Sequence, residues 1–370
     1  MQQTVYTVYG EYTAIDRWLD ENKVERLFLV CDQAIRFLQI DRYFMELPTR
    51  KQVLVTRFSA FQPNPTYESV VEGVELLRGS CAQAIVAVGG GSAMDVAKCV
   101  KLYSNMSNSE SYLKQTIVPN TVPLLAVPTT AGTGSEATRY AVIYSQGEKQ
   151  SVTHESCIPQ TVLLDSSVLQ TLPLYQKKST MLDAFCHAVE SFWSVNSTDE
   201  SKQHSRAALE GVLAHLDGYL ANDDAANRGM LLAANEAGRA INITQTTAGH
   251  AMCYKLTSLY CIAHGHAAAL CVRALWLWTL RNLGRCIDPR GPAYLAQTLQ
   301  ELAVAMGCES PDQAAAKFTS IYESLALPTP TPMPEDFDIL AHSVNPVRLK
   351  NFPVLLDMET IDTLYREILS

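Results

Sequence analysis

The first half of the chain predicts an α/β fold with a doubly wound parallel sheet, on three observations. Residues 26–31 (RLFLVC), 84–88 (AIVAV) and 122–128 (VPLLAVP) are short apolar runs. Each is followed by polar or glycine residues and then, for the first two, by a helical pattern. Strands that are apolar throughout and alternate with helices are buried on both faces, as in a parallel sheet covered by helices. Ligands of such sheets bind beyond the strand C-termini.

Taken in order, the first run ends at Asp32. A carboxylate at this position of a doubly wound sheet accepts hydrogen bonds from the ribose 2′- and 3′-hydroxyls and repels a 2′-phosphate, which favours NAD over NADP. It also suits a plain N-cap for a helix beginning near Gln33. The second run leads into Gly89-Gly90-Gly91-Ser92 and the helical spacing of Met94, Val96, Ala97, Cys99 and Val100. Glycines at a strand-to-helix junction let a pyrophosphate approach exposed N–H groups and the positive end of the helix dipole. The segment matches neither G-x-G-x-x-G nor the lysine-containing phosphate loop, and a tight turn without a ligand is the competing reading. Thr129-Thr130-Ala131-Gly132-Thr133-Gly134-Ser135-Glu136 follows the third run. Its hydroxyls and flexible backbone suit phosphate, ribose or nicotinamide amide, or simply cap the next helix. Two such loops after neighbouring strands favour binding.

The second half offers a different chemistry. In LDAFCHAVES, Asp183 and His187 stand at i, i+4 and project from one helix face, the geometry of a chelating pair. In a second helical segment, GHAMCYKLTSLYCIAHGH, His250 and His264 join them. One carboxylate and three imidazoles suit Fe²⁺ or Zn²⁺ better than Ca²⁺ or Mg²⁺. The bland alternative is that some of the eight histidines fall on apolar helix faces as hydrogen-bonded core residues.

Bulk properties narrow the function. The 370 residues are 47% hydrophobic and 18% charged, enough for two domains with substantial cores. A formal net charge of -9 with dispersed Lys and Arg argues against a nucleic-acid partner. Ten cysteines without C-x-x-C read as reduced thiols, and MQQTVYTVYG lacks the pattern of a leader peptide. No apolar stretch reaches the roughly 20 residues that span a bilayer, so a cytoplasmic protein without membrane partners is expected.

The order VGGGSAMDVAK, VPTTAGTGSEAT, LDAFCHAVES, GHAMCYKL, AHGHAAAL, through to the tail NPVRLKNFPVLLDMETIDTLY, resembles the iron-containing (group III) alcohol dehydrogenase family over nearly the whole chain. The resemblance implies a dehydroquinate synthase-like architecture: a dinucleotide-binding α/β domain over residues 1–158, an all-helical metal-binding domain over 159–370, and a cofactor cleft between them. It places the metal ligands, for Fe²⁺ or alternatively Zn²⁺, on Asp183, His187, His250 and His264. It places the NAD(H) positions on Asp32, Gly90, Gly91, Ser92, Asp95, Thr129, Thr130, Thr133 and Thr138, with Lys149 matching less closely. A homodimer through the edge strand TVYTVYGEY is implied as well. Two departures stand out: Tyr254 replaces a further histidine of the family's proton relay, and Met181 replaces a glycine two residues before the ligand Asp, which changes the pocket wall. His266, two residues past a ligand, suits acid catalysis or a supporting role equally.

The activity implied is hydride transfer between NAD(H) and a small aldehyde or alcohol, with the metal stabilising the oxygen's charge. Residues 177–197 and 243–270 look most like the branch that reduces phosphonoacetaldehyde to 2-hydroxyethylphosphonate. An anionic substrate needs local cations, for which Arg139, Lys177, Lys178 and Lys255 are candidates, although an ordinary solvated role suits any one of them better. Small neutral aldehydes of the butanol or 1,2-propanediol type, and a cyclase resembling dehydroquinate synthase, are the alternatives.

Overall fold

The computed structural model describes residues 3–370; Met1 and Gln2, at the start of the segment read for a leader, lie outside the described residues. The chain divides into two compact units, Met1–Leu172 with Asn222–Leu231, and Pro173–Ala221 with Leu232–Ser370.

The first unit carries strands β1 (Thr4–Val8), β2 (Arg26–Cys31), β3 (Leu54–Phe58), β4 (Ala84–Gly89), β5 (Leu124–Pro128) and β8 (Thr161–Asp165) in one sheet of order β1-β8-β5-β4-β2-β3, and all five neighbouring pairs are parallel. Helices α1 (Thr13–Glu21), α2 (Gln39–Arg50), α3 (Tyr67–Ser80) and α4 (Gly91–Tyr103) make the crossovers. β6 (Tyr140–Ser145) and β7 (Glu148–Thr153) form a separate antiparallel hairpin. Gln146 and Gly147 between them both have positive φ, the type I′ turn that matches strand twist.

The apolar runs fall on β2, β4 and β5, the central strands, whose residues after Arg26 are all buried. One layer of core packs Leu27, Leu29, Val86, Val88, Leu125 and Val127 against Ile15, Trp18 and Leu19 of α1 and Phe44 and Leu47 of α2. From β2 the chain winds toward β3, and from β4 it winds the other way toward β5. The order therefore reverses between β2 and β4, placing Asp32 and the Gly90 loop at the switch point.

One boundary moves. Strand β8 lies beyond residue 158 yet pairs with both β1 and β5, so the first unit runs through it to Leu172. Only Val162–Leu164 of its five residues (TVLLD) are apolar, a run shorter than the four to eight that mark a buried strand.

The second unit is helical: α5 (Leu174–Trp193), α6 (Asp199–Leu220), most of α7 (Asp224–Thr244), α8 (Ala248–Tyr260), α9 (His264–Arg281), α10 (Pro292–Ala305), α11 (Pro311–Ser324), α12 (Asp336–Ser343), α13 (Pro346–Leu349) and α14 (Met358–Ile368). Helix α5 is its axle. Every residue from Met181 to Trp193 is buried, and α6 and α9 pack on it.

The segment carrying His250 and His264 is not one helix. Along a continuous helix the two would stand about 21 Å apart, too far to share an ion. Instead α8 ends at Cys261, whose φ of 52° is left-handed, and the chain turns back so that His264 opens α9.

Cys261 is thus a non-glycine residue in a backbone conformation that suits glycine. Cys261→Gly should raise the unfolding free energy by about 0.5–1 kcal/mol, and Cys261→Val should lower it by a similar amount, measured by denaturant titration.

Candidate active site

In the second unit, the Nε2 atoms of His250, His187 and His264 lie 3.3, 3.9 and 4.0 Å from the same Oδ1 of Asp183. Asp183, His187 and His250 each offer one donor atom within 4.8 Å of the others, and all three are buried. His264 is the outermost, its side chain 36% exposed. Donors about 2.1 Å from a tetrahedral ion are spaced by roughly 3.4 Å, and one oxygen with three imidazole nitrogens is the chemistry of a borderline divalent ion. The residues fit such an ion. Thus the α8–α9 hairpin closes over α5 to bring together all four predicted residues.

Gly265 allows that closure. A Cβ built on it would stand 2.7 Å from Asp183 Cβ and 2.8 Å from the Asp183 amide nitrogen, and would also strike Ser179 O. Only a residue without a side chain lets the start of α9 lie against α5 here.

The electrostatics follow from burial. Burial alone would raise the Asp183 carboxyl, but His187, His250 and His264 outweigh it and hold the group below the usual carboxylate range. His250 shows the converse balance: burial disfavours its charge, yet Glu190 and Asp183 push it up to about 9.

Glu190 is the residue that spacing alone did not single out. It accepts from His250 Nδ1, from Thr247 Oγ1 at 2.6 Å and N at 3.0 Å, and from His250 N at 3.3 Å. Trp193 Nε1 donates in turn to Thr247 Oγ1 at 3.1 Å. Glu190 Oε2 therefore holds Nδ1 and turns Nε2 toward Asp183. The signal was present: 183, 187 and 190 share one face at i, i+4, i+7 spacing, and a carboxylate in an apolar helix needs a partner.

The remaining sequence candidates separate. His266 is buried, with Nδ1 3.2 Å from Tyr175 Oη and Nε2 3.3 Å from Tyr322 Oη. Burial pushes it down to about 4, so it is a neutral ring holding α9 between two tyrosines. Tyr254 stacks on His264, centroids 5.5 Å apart and planes at 19°. Met181 is fully buried and belongs to the core of the helical unit rather than to an open wall. Lys177 donates to Tyr219 O and lies 4.6 Å over that ring, Lys178 donates to Leu325 O, and Arg139 pairs with Glu155. Lys255 is half-buried.

In the first unit, the two Gly/Thr loops meet. Thr129 N donates to Gly89 O at 3.0 Å, and Cβ atoms built on Gly90 and Gly91 would meet Thr130 at 3.6 Å and Thr133 at 3.1 Å. Asp32 Oδ1 accepts from Ala34 N at 2.9 Å, so it does cap the turn at Gln33–Phe37. Its Oδ2 lies where a Cβ on Gly89 would be 2.9 Å away, which places the carboxylate at the cradle. Ser92 Oγ accepts from Asn64 N at 3.3 Å. Lys98 Nζ, fully buried, donates to Ser135 O, Ser135 Oγ, Thr138 Oγ1 and Tyr140 O. Ser135 Oγ donates to Asp95 Oδ1 at 3.0 Å, so the threonine loop is fastened to α4. Burial pushes the Asp95 carboxyl up to about 6 against the pull of Lys98 and, more weakly, Lys149. Lys98 gave no sequence signal beyond being one of two lysines in an apolar helix.

A parallel sheet with glycine loops at its switch point and a helical unit presenting an Asp/His₃ cluster define a metal-dependent oxidoreductase class. The family comparison agrees: residues 3–166 match the model of the iron-containing alcohol dehydrogenases, and residues 177–366 match that of the family's C-terminal part. The chain belongs to the iron-containing alcohol dehydrogenase family. It is 31% identical over 317 residues to the phosphonoacetaldehyde reductase of Streptomyces viridochromogenes, covering 82% of this chain and 80% of that one. It is 30% identical over 255 residues to the sulfoacetaldehyde reductase of Bilophila wadsworthia, 67% of this chain and 66% of that one. Among solved structures, the sulfoacetaldehyde reductase of Bifidobacterium kashiwanohense in complex with NAD+ superposes with TM-score 0.88 at 24% identity, over 100% of this chain and 97% of that one. The alcohol dehydrogenase of Oenococcus oeni superposes with TM-score 0.87 at 25% identity, over 100% and 98%.

Gly265→Ala should lower the unfolding free energy by about 1–3 kcal/mol, because the added methyl overlaps α5 backbone. Thermal and denaturant unfolding of the variant measure it.

Proposed function

We propose that the chain reduces a small aldehyde bearing a tetrahedral oxyanion, phosphonoacetaldehyde to 2-hydroxyethylphosphonate being the best-supported pair, with NAD(H) as hydride carrier and a bound Fe²⁺ or Zn²⁺. The observation that carries the chemistry is the approach of three imidazole Nε2 atoms to one carboxylate oxygen of Asp183. The substrate class rests on two relatives whose names share a two-carbon aldehyde with an anionic end.

Asp183, His187, His250 and His264 hold the ion, which when bound supplies Lewis-acid stabilisation of the substrate oxygen. Asp183 stays ionised throughout the neutral range and is the one negative charge among the ligands, so the cluster keeps net positive charge to offer. Glu190 fixes the ring of His250 in the orientation that presents Nε2. Asp32, Gly90, Gly91, Ser92, Asp95, Thr129, Thr130, Thr133, Thr138 and Lys149 are the residues proposed to hold NAD(H), the Asp32 carboxylate selecting against a 2′-phosphate. Lys98 holds the threonine loop in shape. Among the described residues strand β1 pairs on one side only, with β8, and an open edge suits a homodimer.

Three results are expected. His264→Ala loses metal and turnover while keeping NAD binding, as read by metal analysis and cofactor titration; full activity without metal refutes the ligand assignment. Lys98→Met leaves metal content intact but weakens NADH binding by about tenfold or more, since four acceptors lose their shared donor. The wild-type kcat/KM for phosphonoacetaldehyde exceeds that for propionaldehyde, and a strong preference for the neutral aldehyde ends the anionic-substrate reading.

A further inference from the structure

We propose that Arg348, together with the Tyr254 hydroxyl, is the subsite that recognises the anionic tail of the substrate, a phosphonate or sulfonate group; this rests on the substrate reading above. Arg348 Nη1 donates to Tyr254 Oη at 3.1 Å, and its guanidinium carbon lies 5.2 Å from the centre of that ring. The Tyr254 ring is stacked on His264. A positive charge thus lies over, and is hydrogen-bonded to the hydroxyl of, the aromatic ring that stacks on the most exposed member of the Asp/His cluster. A two-carbon aldehyde is short, so the group that meets its anion must lie within a side chain's length of whatever holds its carbonyl oxygen.

Arg348 is held in place from both sides. Asn345 Oδ1 accepts from Val347 N at 2.9 Å at the start of α13. After it, Asn351 O accepts from Val195 N at 3.0 Å, and Asn351 Nδ2 donates to Gln245 Oε1 at 3.1 Å and Thr246 O at 3.2 Å. Phe352 packs edge-on against Trp193, centroids 5.8 Å apart. The turn at Thr246 continues into Thr247, which feeds Glu190. The segment carrying Arg348 is therefore tied to the same turn that orients His250.

Its charge is also available. Among the described residues no carboxylate lies within 4.0 Å of the Arg348 guanidinium, and its one side-chain hydrogen bond is that to Tyr254. A guanidinium has five N–H donors in a planar fork that matches tetrahedral oxyanions bidentately, and four remain. The cations suggested by sequence proximity compare poorly: Arg139 is paired with Glu155, and Lys177 and Lys178 are spent on carbonyls. In a chain of net charge -9, one arginine without a carboxylate partner beside the cluster is the place an anion goes.

The test compares phosphonoacetaldehyde, sulfoacetaldehyde and propionaldehyde with wild type, Arg348→Gln and Arg348→Lys, and titrates phosphonoacetate, a non-reducible mimic, by calorimetry. Arg348→Gln should lower the kcat/KM ratio of the preferred anionic aldehyde to propionaldehyde by about 100-fold, mainly through KM, and weaken phosphonoacetate by at least tenfold, with Arg348→Lys recovering part of both. Which anion wild type prefers decides between phosphonate and sulfonate. If wild type prefers an anionic aldehyde but the ratio survives in Arg348→Gln, or if all three substrates fall together, the Arg348 assignment alone is overturned. If wild type prefers propionaldehyde, the substrate reading and this subsite fall together.

Discussion

The structure of the helical unit depends on burying two carboxylates in one helix. Asp183 and Glu190 both lie on the inner face of α5, in a stretch where every neighbour is buried. Taking an unpaired carboxylate out of water costs several kcal/mol or more, so each must be surrounded by compensating donors. Asp183 is met by three imidazoles, and Glu190 by one imidazole, a hydroxyl and two backbone amides. These demands fix where α8 must begin, where the chain must reverse and how closely α9 must approach. Gly265 and the left-handed Cys261 are the local backbone answers to them.

The first unit meets a related requirement with the sign reversed. Lys98 is a buried cation, and its four acceptors are supplied almost wholly by the loop and strand that follow β5. A loop of small and hydroxylated residues has little apolar surface with which to hold itself. A charge-assisted network fastens it more firmly than packing would. The glycine cradle after β4 is held by a different means, the parallel ladder that stops at Gly89 and Pro128.

Much of this was legible in the chain. The central strands announced themselves because burial on both faces leaves unbroken apolar runs, and Asp183 with His187 because i, i+4 spacing is local geometry. The edge strand β3 was less visible since its side chains are largely exposed or half-buried, and β8 because only its three central residues are apolar. The hairpin β6–β7 was hidden by a Gln-Gly turn instead of the more telling Asn-Gly. The chain reversal at Cys261 could not be read, since no glycine or proline marks it and only tertiary closure over α5 makes the left-handed cysteine worthwhile. Arg348 stood nearly a hundred residues from Tyr254, so sequence proximity pointed instead to Lys255 and to the lysines of α5.

The four clustered side chains are unequal partners. Asp183 and His187 come from adjacent turns of one helix and stay neighbours whenever that helix exists; His250 and His264 reach them only when two further helices have docked. A partly unfolded helical unit therefore keeps a weak two-armed grip and loses the tight four-armed one, and an ion held by all four selects the fully docked arrangement by mass action. On the ligand assignment proposed above, cation capture and completion of the tertiary packing would be thermodynamically linked.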